Sequence, residues 1–106
     1  MIRSIYRFSF DKTVSMDDVE KALALSTIVI EAIYGESAMR IDGIFSVDSK
    51  ARTCIIDRQT DLGCDLAKVL IGFLRLSMND GSYDVEQDET QDGLGDMFGL
   101  FKGFIR

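Results

Sequence analysis

Apolar and polar residues change their spacing several times along the chain, and each change marks an element. Ile2 to Phe10 sets Tyr6, Phe8 and Phe10 on one side of a period-two pattern and Arg3, Arg7 and Ser9 on the other, which predicts a strand with one buried face. Ser15, followed three residues later by Asp18, gives a capping-box-like helix start. Val19, Ala22, Leu23, Ser26, Ile30, Ile33 and Tyr34 then recur at three- and four-residue steps until Gly35. The middle of that helix, Ala22 to Ile30, holds no charged residue, so more than one of its faces is apolar. Such a helix lies deep in a core or offers a second contact surface.

Beyond Gly35 the period returns to two. Met39, Ile41, Phe45 and Val47 alternate with Ala38, Arg40, Asp42, Ile44 and Ser46, predicting a second strand over residues 38–47. Asp48-Ser49-Lys50-Ala51 reads as the turn to a third strand over Arg52 to Arg58, and the pair is expected to form an antiparallel hairpin. Thr60 or Asp61 caps a second helix with Leu62, Leu66, Val69, Leu70, Phe73 and Leu74 on its buried face. Asn79-Asp80-Gly81 ends it, and Ser82 to Glu86 supplies a short last strand. The order β-α-β-β-α-β, with two helices available for one side of a sheet, predicts an α+β domain of the ferredoxin-like sandwich type over residues 1–87, with a C-terminal extension. That arrangement hosts many unrelated activities and says little about function.

The extension has two parts. Residues 84–92 contain five acids and no base, against a net charge of −2 over residues 1–83 and +1 over residues 93–106. An acidic linker is therefore expected over residues 88–93, acting as a spacer with little to bury. In residues 94–106 the apolar residues Leu94, Met97, Phe98, Phe101 and Ile105 recur at helical spacing, broadened by Leu100 and Phe104. Gly95, Gly99 and Gly103 each disfavour a helix by about 1 kcal/mol relative to Ala, so the segment is expected to order on contact. Leu94, Met97, Phe98, Phe101, Phe104 and Ile105 are the candidate partner-binding residues, docking on this chain, a sister copy or another protein. A membrane interface, with Lys102 and Arg106 toward headgroups, is the least favoured destination because so few basic residues give weak anchoring.

Charge and composition exclude several classes of function. A near-neutral body and an acidic connector lack the clustered Lys and Arg that release counterions from a nucleic-acid backbone, so no nucleic-acid partner is expected. Cys54 and Cys64 match no zinc-ligand spacing and the chain has no histidine, so neither metal nor cofactor is expected. Arginines interrupt the apolar residues of the amino-terminal segment, which reads as neither signal peptide nor membrane span and points to a cytoplasmic protein.

The one cluster with chemical promise is Arg58, Gly63 and Cys64. A thiol near a helix start meets free N–H groups and a favourable dipole, and the same position beside Arg58 could hold a small anion. Against this, a single glycine is a poor phosphate loop, Asp61 and Asp65 would repel an anion, and a lone cysteine is usually a packing residue. Without histidine the balance is against an enzyme. The function expected from sequence is a small interaction or assembly module, at least a homodimer, that docks through its apolar tail. The alternative is a thiol-dependent or anion-binding protein centred on Gly63-Cys64.

Overall fold

The computed structural model describes residues 3–90 of the 106-residue chain. Its elements are β1 (Arg3–Phe10), α1 (Met16–Tyr34), α2 (Glu36–Asp42), β2 (Phe45–Asp48), β3 (Thr53–Asp57), α3 (Asp61–Ser77) and β4 (Tyr83–Thr90), with a 3-10 turn at Asp80–Ser82 before the last strand. The protein is an α+β fold: one four-stranded sheet in the order β2-β3-β1-β4, every neighbouring pair antiparallel, with the helices on one side.

The sheet faces follow from the register. Tyr6 pairs with Ile56 and Phe8 with Cys54, and these residues join Phe10, Phe45 and the inner faces of α1 and α3 in the main core. Phe8, Val19, Ile30, Leu66, Leu70 and Leu74 are fully buried there. Ser26, also fully buried within the apolar run of α1, donates its hydroxyl to the Ala22 carbonyl at 2.7 Å, so no polar group is stranded. The opposite sheet face carries Arg3, Arg7 and Asp57, with Ile5 and Ile55 in a second small apolar cluster that Ile44 packs against. Arg3 pairs with Asp57, and Arg7 with Asp88 at 2.7 Å.

Two elements differ from the sequence expectation. The segment expected to begin the second strand is instead α2, and β2 starts only at Phe45. Glu36, Ala38, Met39 and Arg40 are good helix formers, Arg40 ion-pairs with Glu36 one turn earlier, and Met39 alone is buried while Ile41 points outward. Gly35 makes the break between α1 and α2 with φ of 96°, a backbone shape that side chains resist. The last strand is longer than expected, running through Thr90, so Asp88, Glu89 and Thr90 belong to β4 rather than to an acidic spacer. Acids are poor strand formers, but each step of β4 faces β1, whose Arg7 lies opposite Glu86 and bonds Asp88.

Candidate functional site

The β3–α3 corner gathers the three residues singled out as a thiol or anion site. Thr60 caps α3 by accepting the Gly63 N–H at 3.1 Å. Gly63 is needed for a packing reason: a methyl there would lie 1.9 Å from the Asp57 carbonyl oxygen, so only glycine lets the first turn of α3 approach the end of β3. Asp57 is itself buried, held by Arg3 and by the Gln59 N–H at 2.8 Å.

Cys64 follows on the same turn. Its thiol donates to the Arg58 carbonyl at 3.4 Å. The Arg58 guanidinium lies over the Tyr6 ring, 5.6 Å from its centre. Burial pushes the Tyr6 hydroxyl up first, and the neighbouring Cys64 sulfur adds to that. Arg58 Nε is the one buried side-chain polar atom without a hydrogen-bond partner among the described residues. The carboxylates closest to Cys64 in sequence are occupied or exposed: Asp65 accepts the Tyr34 hydroxyl at 2.5 Å and Asp61, in the first turn, is exposed. The bond to Asp65, more than burial, pushes the Tyr34 hydroxyl up to about 12. Cys54 lies apart from the cluster in the core, where burial pushes its thiol up to about 12. No group of three or more His, Cys, Asp or Glu side chains suited to a metal ion occurs among the described residues.

A different surface stands out on the far side of the helices. Leu25 is 49% exposed, Ile28 65%, Ile33 70% and Leu76 83%. Of these, Leu25 and Leu76 line a hollow of about 350 Å³ between α1 and α3, together with Lys21, Ala22 and Phe73, among others. It continues into a depression of about 280 Å³ over Val69, Gly72, Phe73 and Leu76. Gly72 shapes the second hollow, since nothing lies within 4 Å of where its side chain would be. Sequence reading placed Val69 and Phe73 in the core, and both are half-buried at its outer edge. The signal that would have shown the surface is the run Val69, Gly72, Phe73, Leu76, a second helical stripe beside the fully buried one.

The candidate partner-binding residues Leu94, Met97, Phe98, Phe101, Phe104 and Ile105 lie outside the described residues, as do positions 91–93 of the expected linker. None of the described helices is long and apolar enough to cross a membrane. Compared with protein-family models, with curated proteins and with solved structures, the chain matches none.

Proposed function

We propose that this protein is a small non-enzymatic assembly module of the cytoplasm, built on a ferredoxin-like sandwich, that associates with copies of itself through its helix layer and its apolar C-terminal tail. The fold assignment is supported by the sheet order and by the connections, α1 and α2 between β1 and β2 and α3 between β3 and β4. The observation that carries the functional reading is the group of exposed large aliphatic residues on the helices, Leu25, Ile28, Ile33 and Leu76. Leu25 and Leu76 share one apolar hollow with Phe73, and exposed apolar surface of this kind marks an interaction site. The open face of the sheet competes less well as an interface, because Ile5 and Ile55 are already buried there and ion pairs surround them.

Light scattering at micromolar concentration tests the reading. The expected mass is twice the 11.9 kDa of one chain, and a concentration-independent monomer overturns it.

A second reading, a thiol or anion site at Arg58, Gly63 and Cys64, has the unpartnered Arg58 Nε in its favour. Against it, the Cys64 thiol is bonded to a carbonyl and Gly63 is explained by its contact with Asp57.

A further inference from the structure

We infer that the hollow between α1 and α3 is the receptor for residues 94–106 of a second copy of this chain. The inference rests on the self-association reading and names the two surfaces that meet.

The receptor is open and apolar. Leu25, Val69, Phe73 and Leu76 form its floor and walls, and Gly72 leaves room for a large side chain at its centre. A glycine in the middle of a 17-residue helix weakens that helix, and among the described residues nothing lies within 4 Å of where its side chain would be. A ring from an incoming segment accounts for it. The hollow is flanked by Asp18 and Lys21 of α1, and Asp17 precedes them in the first turn.

The occupant is chosen by chemistry and by reach. Sixteen residues follow β4, and residues 94–106 offer Leu94, Phe98, Phe101 and Ile105 along one helical face. As a helix the segment is about 20 Å long, sufficient to cover the stretch of α3 from Val69 to Leu76. Its net charge of +1, from Lys102, Arg106 and Asp96, suits a folded body whose residues 3–90 carry a net charge of −6, with Asp18 and Lys21 both at the edge of the hollow. The chain leaves the sheet at Thr90, opposite Arg3, at the edge farthest from β2. Four residues from there to Leu94 reach about 14 Å at full extension. They would have to climb a helix layer about 10–12 Å thick and then cross it to the α1–α3 seam. Two copies exchanging tails give a closed, symmetric pair.

Cross-linking in the full chain tests this. In a Cys64→Ser background, protein carrying Lys21→Cys at the edge of the hollow is mixed with protein carrying Lys102→Cys in the tail, and a short bis-maleimide is added. The expected product is a cross-linked pair containing one of each chain. Adding Leu76→Glu to the Lys21→Cys protein should cut the yield about tenfold or more, the size of effect for losing one anchor of an interface. Leu76 is 83% exposed, so the variant is expected to keep its fold, with circular dichroism as the check. Leu76→Ala should act in the same direction.

The outcomes separate the inference from the reading beneath it. A dimer by light scattering without the cross-linked pair overturns the inference and leaves self-association standing. A cross-link confined to one chain, in a protein carrying both cysteines, seats the tail on its own body and overturns the inference. A monomer with no cross-link overturns both.

Discussion

Gly63 and Asp57 fix the distance between α3 and the sheet: a methyl at Gly63 would meet the Asp57 carbonyl oxygen at 1.9 Å. Backbone on both sides leaves nothing that can swing aside. Gly63→Ala should therefore destabilise the protein by about 2–3 kcal/mol, as overpacking of a tight contact does. Urea unfolding followed by circular dichroism reads this as a lowered midpoint at unchanged slope. An unchanged midpoint would show that α3 can shift away from β3 without loss.

The two thiols should differ sharply toward a maleimide. Cys54 is fully buried with its thiol pushed up to about 12, and Cys64 is partly accessible with its proton directed at the Arg58 carbonyl. At pH 8 one equivalent is expected to label slowly, at Cys64, and the second only after urea is added. Rapid labelling of Cys64 at pH 6.5 would instead favour the thiol reading.

Tyr34 and Asp65 join α1 to α3 through a bond that requires the neutral phenol. Because the folded-state pKa of Tyr34 is raised from 10.0 to about 12, the stability it contributes is fully present below pH 10 and is lost as pH rises through about 12. Following phenolate absorbance with pH in a Tyr6→Phe background, which removes the other raised tyrosine, should show Tyr34 titrating late, and Asp65→Asn should bring that transition down toward 10. Late titration of Tyr34 that survives Asp65→Asn there would assign the effect to burial.

Gly72→Ala should stabilise the isolated chain by about 0.5–1 kcal/mol, because alanine is the better helix former and its methyl meets nothing within 4 Å. Measured by thermal melting in a Leu76→Glu background, the gain appears free of association. A loss of stability there would mean that the space over Gly72 is filled within the chain.

Arg52 ties the β2–β3 turn to the loop before α1, donating to the carbonyls of Asp11 and Val14 from a backbone at φ of 58°. Arg52→Ala is expected to lower stability by about 1–2 kcal/mol, through lost hydrogen bonds to groups that loop needs satisfied. Denaturant midpoints measure it, and a change within error would make the side chain dispensable.

Much of the fold was legible because local pattern and tertiary packing agree. The alternation in β1, the Thr60 cap and most of the apolar stripes of α1 and α3 survive into the structure, the exception on α1 being Ile33, which is 70% exposed. The pattern misled where two periods fit the same residues: Met39, Ile41 and Phe45 alternate, but only Met39 is buried by α2, and the helix preference of Glu36 to Arg40 decides the segment. It also misled at Asp88 and Glu89, where acids that read as a spacer pair with Ile5 and Ser4 of β1 while Arg7 bonds Asp88; nothing local to that stretch records its partners. At the candidate site, Gly63 and Cys64 were visible as residues, while the reason for Gly63 is a contact with a carbonyl six positions away that sequence does not display. The outer hollow was hidden because Val69 and Phe73, which line it, read as part of the buried stripe of α3.

The sheet ends on two dissimilar margins, β2 with four residues and β4 with eight. β2 is too short to template a long run of strand pairing. β4 carries Asp84, Glu86, Asp88 and Glu89 along its length, so a second β4 laid against it would set carboxylates against carboxylates. Growth from strand to strand is thereby blocked at both margins, and the chain is protected from fibrous stacking even though its helices display bare aliphatic surface. In the proposed assembly, contact between copies falls to the helix side, where a two-fold arrangement closes on itself and stops at a definite number of subunits.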